Sequence, residues 1–457
     1  MRILCFLFLA SVTVFGCQTE PEPEPTDRPN VVLIVGDDYG FPYHSFMGAD
    51  YVQAPTMERL AASGTVFTHG YVPANHCSPS LRSMITGLLP IQYDAIEAAN
   101  KEAFMASEEY RSMPPEEQTT WQDEYRFHSM KDVPTLARVL SANGYQTWQG
   151  GKWWEFNYQN GGFDHGMTTG WTPEDRGNNE WFLLFMGGAG RDLARVSNQA
   201  AYDFIDLAGD DPFFMWYAPE LPHYPFDAPQ KYLDIYADAD ISETAKLYYA
   251  NVSWFDERLG EFLDYLEAQG KLENTLVIYI NDNGWEQDPE QEFMGDPLRF
   301  NNGGGRGKLG MTDLSFRTPV IFSWPGRIES GSRLTSLIHA ADIPPTVLDF
   351  LDIEGLDGIF GTSYKDVLTN QSGEPRPEIV GRATQLRSED DMMGRRAKVY
   401  WVRQDEWFLN WDIETGKKQL FDVQNDPRED TNVASEHPDL VDALSARIEA
   451  WRATYDS

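Results

Sequence analysis

The amino-acid sequence predicts an α/β fold in which a large mixed, mostly parallel sheet is sandwiched by helices. Residues 30–35 and 275–280 are short, continuously apolar runs rich in β-branched side chains. Strands that are buried on both faces have this composition, whereas half-exposed strands alternate apolar and polar residues. Helical patterns separate such runs, and the alternation of strands and helices is typical of an α/β sandwich.

The predicted elements follow one another regularly along the chain. After the strand at 30–35, apolar residues at helical spacing predict a helix over 56–63. A second short helix is predicted over 133–140, and residues 213–217 form another candidate buried strand. Residues 243–269 carry large apolar side chains at helical spacing, which predicts a long amphipathic helix.

Two segments depart from this rhythm. Residues 92–130 are rich in Glu, Tyr and Met and predict an inserted helical lid or rim element. Near the C-terminus, short strand patterns within 398–409 precede a helical pattern at 438–453. We therefore predict a main domain over 29–373 and a small α+β subdomain over 374–457.

The overall charge of the chain limits its partners. The 457 residues include 36 Lys and Arg against 72 Asp and Glu, a formal net charge of −36. Such a surface repels nucleic acid and anionic lipid, so we predict no nucleic-acid partner. The hydrophobic fraction of 41% is that of a folded protein and argues against disorder.

The N-terminus has the pattern of an export signal. Arg2 precedes a mostly apolar run at 3–15 that is too short to span a bilayer. We predict a signal peptide over 1–17 and a stiff Pro/Glu linker over 18–28. Cys17 ends a lipobox-like sequence, so its lipidation would make the protein a periplasmic or cell-surface bacterial lipoprotein; plain secretion is the alternative.

Cys77 is the most informative residue of the predicted mature chain, because the other two cysteines lie in the leader. A lone thiol in an exported protein has no internal partner for a disulfide, so it serves packing or chemistry. The sequence Cys77-Ser-Pro-Ser-Leu-Arg82 predicts a strand-to-helix entry, where the helix N-terminus stabilises anions. A buried apolar cysteine is the alternative reading.

Two acidic turns follow predicted strands. Asp37-Asp38 ends the strand at 30–35, and Asp282-Asn283 ends the strand at 275–280. Ligands of open α/β sheets bind at the carboxyl ends of strands, and these side chains offer an all-oxygen set suited to Ca²⁺ or Mg²⁺. Asp and Asn are also frequent in ordinary turns, but together with the Cys77 segment the two pairs favour a metal site.

Three cationic or titratable residues complete the candidate site. Lys152 and Lys308 lie next to glycines, where backbone can approach a ligand closely and Lys offers a point charge to an oxyanion. The Lys308 segment fails as a nucleotide-binding P-loop, because Leu309 replaces the required Ser or Thr. His223 follows the strand at 213–217 and could act as a general acid near neutral pH.

These segments, in this order, resemble the type I sulfatases of the alkaline phosphatase superfamily, from residue 28 nearly to the C-terminus. The segments that carry the resemblance are 28–40, 54–60, 77–87, 144–153, 222–223, 274–284, 317–319, 420–422 and 425–427. Each is short, but the ordered set is specific. The resemblance implies an alkaline-phosphatase-like fold and hydrolysis of sulfate esters.

The family implies that a maturation enzyme oxidises Cys77 to formylglycine (3-oxoalanine). The resemblance implies that the hydrated aldehyde would attack sulfur, that the alcohol would depart, and that sulfate would leave as the aldehyde is regenerated. The resemblance also implies one calcium ion, with the ligands Asp37, Asp38, Asp282, Asn283 and the modified Cys77. Lys152 and Lys308 would supply positive charge together with the calcium, and His223 would carry a hydrogen bond or a proton to the leaving oxygen. Arg82 is a further catalytic candidate.

Two positions differ from the family pattern. The family has Arg four residues after the cysteine, where this chain has Leu81; Arg82 comes one residue later, a rotation of about 100° on a helix. The family also has His two residues after the lysine, where this chain has Trp154. Glu155 or His165 could compensate for that loss.

The sequence leaves three functional hypotheses. The first is an exported, calcium-dependent sulfatase that acts on a sulfated carbohydrate. The aromatic residues between Trp148 and Trp181 could provide stacking surfaces for sugar rings, although some of these residues must belong to the core. The second is a phosphodiesterase or phosphonate monoesterase of the same superfamily. The third is a catalytically silent receptor for anionic glycans, which the Leu81 and Trp154 departures motivate.

Overall fold

The structure, a computed structural model, describes residues 28–172, 175, 184, 186–285, 306–369, 373–386 and 396–456. The predicted signal peptide with Cys17, and the linker up to residue 27, lie outside the described residues. Among the described residues, no helix is both long and apolar enough to cross a membrane.

Eight strands form one mixed, mostly parallel sheet, as predicted. They are β1 Asn30–Gly36, β2 Thr65–Tyr71, β3 Gln146–Gly151, β4 His165–Gly166, β5 Phe213–Ala218, β6 Thr275–Asn281, β7 Arg317–Ser323 and β8 Ser332–His339. Their order across the sheet is β4-β3-β5-β1-β6-β7-β2-β8. Strand β7 is antiparallel to both neighbours, β6 and β2, and the other neighbouring pairs are parallel.

Helices cover the sheet and extend beyond it. The α-helices are α1 Pro55–Ser63, α2 Cys77–Thr86, α3 Pro90–Met105, α4 Glu108–Ser112, α5 Pro115–His128, α6 Leu136–Ala142, α7 Gln199–Ala208, α8 Gln230–Leu233, α9 Glu243–Ala268, α10 Asp313–Phe316, α11 Ile343–Phe350, α12 Lys365–Leu368 and α13 Pro438–Tyr455. The helical insertion predicted at 92–130 is α3 to α5. Helix α6 begins three residues later than predicted, because Thr135 caps it by accepting a hydrogen bond from the Arg138 amide at 3.1 Å.

Both faces of the sheet are buried, which explains its continuously apolar strands. In β1, Val32 and Ile34 belong to one core, which also contains apolar residues of α1, α7 and α9. Leu33 and Val35 point to the opposite core, shared with α2, α6 and α11. The predicted sandwich of helices around a sheet is therefore confirmed.

A small antiparallel sheet follows near the C-terminus. Its strands are β9 Glu378–Leu386, β10 Arg396–Gln404, β11 Trp407–Asp412 and β12 Lys418–Asp422, paired in sequence order. One face of this small sheet packs on α13. The other face packs on residues of the main domain, among them Phe316, whose ring stacks on that of Trp401 at 4.5 Å. The exact domain limits at 373 and 374 stay a prediction.

Candidate active site

The site lies at the carboxyl ends of four adjacent strands, β3, β5, β1 and β6. Gly36 at the end of β1 pairs in register with Asn281 at the end of β6. Asp37 and Asp282 therefore leave the sheet side by side. The two acidic turns touch at Gly40 and Gly284, where a side-chain Cβ on Gly40 would lie only 2.6 Å from the Gly284 Cα. Glycine thus permits the approach that brings the carboxylates together.

Cys77 completes a compact buried cluster. Strand β2 runs to the same edge of the sheet, and after a short loop Cys77 is the first residue of α2. One ligand atom each of Asp37, Asp38, Asp282 and Cys77 lies within 4.8 Å of the others, and all four residues are buried. Burial raises the pKa of the Cys77 thiol to about 12, although Lys152 and Lys308 act in the opposite direction. An unmodified Cys77 would thus be a protonated, weak nucleophile.

Hydrogen bonds fix the acidic turns relative to each other. The Asp38 amide donates to Asp282 Oδ1 at 3.0 Å, and Asn283 Nδ2 donates to Asp38 Oδ1 at 2.6 Å. Lys308 Nζ donates to Asp38 Oδ2 at 2.7 Å. Burial alone would raise the pKa of Asp38, but the positive charges of Lys308 and Lys152 lower it below its usual value. Asp38 is therefore ionised.

Lys152 lies directly after β3 and points at Asp37. The preceding Gly151 has a φ of 87°, and a Cβ there would lie 1.9 Å from the Ala218 carbonyl oxygen, so only glycine fits. The Lys152 ammonium donates to Asp37 Oδ1 and lies 3.5 Å from Asp282 Oδ2. Burial works against its charge, but Asp37 and the neighbouring groups raise the pKa of Lys152 well above its usual value.

His223 also lies next to Asp38. Its Nδ1 is within hydrogen-bond distance of the Tyr224 carbonyl oxygen, which can only accept, so Nδ1 carries the proton. The Nε2 atom faces Asp38 Oδ2 at 3.5 Å. Burial, with help from the charge of Lys308, holds the pKa of His223 well below its usual value.

The cluster has the properties of a divalent-cation site. Asp37 Oδ2 and Asn283 Oδ1 are buried acceptors that no donor among the described residues satisfies. A cation would satisfy both, and burial without one raises the pKa of Asp37 well above its usual value despite Lys152. The oxygen-rich donor set suits Ca²⁺ or Mg²⁺. The predicted ligands Asp37, Asp38, Asp282, Asn283 and Cys77 therefore meet in space and fit the group.

Comparison with known families identifies the chain. The model of the family described as Sulfatase matches residues 29–353, well over half of the 457 residues. A second model, described as N-sulphoglucosamine sulphohydrolase, C-terminal, matches residues 307–454. The chain belongs to the sulfatase family. It is a sulfuric ester hydrolase of the type I sulfatases in the alkaline phosphatase superfamily.

Relatives and solved structures agree with this sulfatase assignment. An arylsulfatase of Clostridium perfringens is 23% identical over 91% of this chain and 93% of its own length. An ulvan-active sulfatase of Formosa agariphila is 24% identical over 96% of this chain and 84% of its own length. A solved structure in complex with its substrate, D-glucosamine-2-N,6-O-disulfate, is 19% identical and has a TM-score of 0.70 over 94% of this chain and 98% of that one.

In this sulfatase, Arg82 forms an ion pair with Glu155. Its Nε and Nη2 donate to the two carboxylate oxygens of Glu155, at 2.7 and 3.1 Å. Its guanidinium also lies over the Tyr93 ring and reaches the Arg126 carbonyl at 3.1 Å. Arg82 therefore joins α2 to α3, α5 and the segment after Lys152. Leu81, at the position where sulfatases usually have Arg, is buried in the apolar core.

The Trp154 departure places an aromatic ring beside a candidate catalytic lysine. Lys152 Nζ lies 5.7 Å from the centre of the Trp154 ring, within cation–π range. Of the two residues expected to compensate, Glu155 is paired with Arg82, and His165 lies on β4 against the Phe204 ring. Of the aromatic residues predicted to stack on sugar rings, Trp148, Trp153 and Trp171 are buried, whereas Trp154 and Tyr158 are partly exposed. Trp181 lies outside the described residues.

Two residues that sequence reasoning missed also position this site. Tyr248 on α9 donates its hydroxyl to the Asp38 carbonyl at 2.9 Å. Asn75, two residues before Cys77, accepts from the Leu309 amide at 2.8 Å and donates to the Gly310 carbonyl at 2.8 Å. Tyr248 looks like any apolar helix residue in the sequence, so no local signal could have singled it out.

Proposed function

We propose that this sulfatase hydrolyses a sulfate ester of a carbohydrate with a formylglycine at position 77 and one calcium ion. The observation that carries the proposal is the buried cluster, in which Cys77 at a helix N-terminus meets three carboxylates, an amide oxygen and two lysines.

The charges of the cluster support this chemistry. With a divalent cation bound, the three carboxylates, the ion and the ammonium groups of Lys152 and Lys308 sum to one positive charge. The anion of a sulfate monoester neutralises that charge. The site is thus matched to a singly charged anionic ester, and its burial strengthens each of these interactions.

Calcium would be held by the oxygens of Asp37, Asp38, Asp282 and Asn283 together with the modified residue 77. When present, the ion supplies positive charge and formylglycine supplies a hydrated aldehyde as the nucleophile. Lys152 and Lys308 would bind and orient the sulfate oxygens, because their ammonium groups lie against Asp37 and Asp38 of the cluster. His223 would place Nε2 against the oxygen of the leaving alcohol.

The maturation of Cys77 requires a formylglycine-generating or other sulfatase-maturation enzyme as a partner. With Leu81 at the usual Arg position, that enzyme must accept a motif in which Arg comes one residue later. We also retain the proposal of an exported lipoprotein, lipidated at Cys17, or else a secreted protein.

A sulfated carbohydrate is the proposed substrate class. The ulvan-active relative and the structural neighbour bound to a glucosamine disulfate both support a sugar. In this chain, Trp154 and Tyr158 are partly exposed aromatics near Lys152 in the sequence, and Trp154 also lies near it in space. Such rings can stack on the apolar face of a sugar.

A comparison of esters tests the reaction. The protein, coproduced with a maturation enzyme, is assayed with the 4-nitrophenyl esters of sulfate, phosphate and phenylphosphonate, with Cys77→Ala as the matched inactive control. We expect the highest kcat/KM for the sulfate ester and no turnover by the control. Preference for phosphate or phosphonate would support the second hypothesis, and binding of sulfated glycans without any turnover would support the third.

A further inference from the structure

We propose that the C-terminal subdomain positions Lys308, through a hydrogen-bonded turn at 422–431 that holds Arg306. This inference rests on the proposed role of Lys308 in binding sulfate. The turn contains the Asn425-Asp426-Pro427 motif, which is not part of the buried cluster. The inference assigns this motif a role in positioning Lys308.

The segment that carries Lys308 is fixed on one side by the main domain. The Lys308 amide donates to the Trp285 carbonyl at 2.8 Å, and the Leu309 amide donates to the Asn75 carbonyl at 2.8 Å. Leu309 has a φ of 64°, an unusual conformation for a residue with a side chain. Surrounding contacts must therefore hold this segment in place.

The other side is held by the C-terminal turn. Arg306 Nε donates to the Arg428 carbonyl at 2.7 Å, and its Nη2 pairs with the Asp430 carboxylate. The Arg306 carbonyl in turn accepts from the hydroxyls of Thr312 and Ser315, at 2.9 Å each. Arg306 is thus fixed at both its side chain and its backbone, two residues before Lys308.

The turn is itself rigidly built. Asp426 accepts the amides of Asp430 at 3.1 Å and Thr431 at 2.8 Å with its two carboxylate oxygens. Glu429 is buried, has a φ of 56°, and accepts the amide of Asp313 at 2.7 Å. The turn therefore binds both Arg306, which precedes Lys308 in the chain, and the start of α10, which follows it.

Small displacements of Lys308 matter because its ammonium is only 2.7 Å from Asp38 Oδ2 inside the buried cluster. A shift of about 1 Å in a group that positions substrate can cost on the order of 100-fold in rate. Arg306 and Asp430 are therefore positioning residues. Their ion pair is partly exposed, so its loss should cost little stability.

A double-mutant cycle tests the proposal. Arg306→Ala is measured alone, with Lys308→Ala and with Lys152→Ala, for kcat/KM on 4-nitrophenyl sulfate and for affinity to inorganic sulfate by calorimetry. We expect Arg306→Ala to lower kcat/KM and sulfate affinity on the order of tenfold. This loss should vanish in the Lys308→Ala background and persist in the Lys152→Ala background. Arg306→Lys should restore part of it.

The control is Arg447→Ala, which removes an exposed cation of the C-terminal helix and should change neither quantity. Equal losses from Arg306→Ala in both lysine backgrounds, or no loss at all, would overturn the inference. If the unaltered enzyme prefers a phosphate or phosphonate ester, the proposed sulfate substrate is wrong. The role of Arg306 is then decided by the same double-mutant cycle, measured on the preferred ester and on sulfate binding.

Discussion

Removal of Arg82 should destabilise the protein far more than removal of a comparable surface arginine. The Arg82 and Glu155 side chains are 17% and 3% exposed and form two parallel hydrogen bonds. Arg82→Ala would leave the Glu155 carboxylate buried without its cation. Breaking a buried pair in this way costs about 3–5 kcal/mol.

The cost should fall when both charges are removed. Glu155→Gln alone leaves a cation that still reaches Glu97 at 3.6 Å, so we expect a smaller loss, roughly 2 kcal/mol. In the double variant the buried charge of Glu155 is gone, and the only carboxylate that loses Arg82 is Glu97, which is partly exposed and still accepts a hydrogen bond from Ser129. The coupling between positions 82 and 155 should therefore reach about 2 kcal/mol or more. Urea denaturation followed by tryptophan fluorescence measures these differences.

The matched control is Arg59→Ala, which breaks the exposed pair of Arg59 with Asp264 at 2.8 Å, with side chains 55% and 61% exposed. Such pairs contribute about 0.2–1 kcal/mol. A loss for Arg82→Ala as small as that for Arg59→Ala would refute the reasoning. If the double variant regains stability but loses affinity for inorganic sulfate, then Arg82 contacts the substrate, as the sequence first suggested.

The remaining predictions concern the cation and a distant carboxylate. Asp282→Ala should abolish turnover and leave the far-UV circular dichroism unchanged. A chelator should inactivate the unaltered enzyme until Ca²⁺ is restored. Activity of the chelator-treated Asp282→Ala variant would overturn the calcium assignment. Asp256 accepts the amides of Thr56 and Met57, and burial raises its pKa from 3.8 to about 6. The folded state therefore keeps a proton that the unfolded state releases, so the free energy of unfolding should fall by roughly 2–3 kcal/mol as pH rises across that interval. Asp256→Asn should flatten this slope in urea titrations, and an unchanged slope would contradict the assignment.

The sequence predicts the sheet and the acidic turns well because both depend on local patterns. The β1 and β6 strands are largely apolar because both of their faces are buried, and each is followed by a pair of residues that contains Asp. Parallel neighbours necessarily bring their carboxyl ends to one edge. The sequence alone therefore predicts that Asp37 and Asp282 meet.

Contacts between distant segments were beyond sequence reasoning. Whether Arg82 faces the cluster or Glu155 depends on how α2 is rotated about its axis, and the sequence gives only the change of about 100° per residue. The ion pair between Arg306 and Asp430 joins residues that are 124 positions apart in the sequence. Such pairs leave no periodic signal, because each partner looks like an ordinary surface charge.

Peptide mass spectrometry across position 77, combined with the turnover of the same preparations, tests the central claim most directly. Preparations produced with graded amounts of maturation enzyme should contain graded fractions of formylglycine, and sulfate-ester turnover should rise in proportion to that fraction. Full turnover in a preparation whose Cys77 is entirely free thiol would contradict the account.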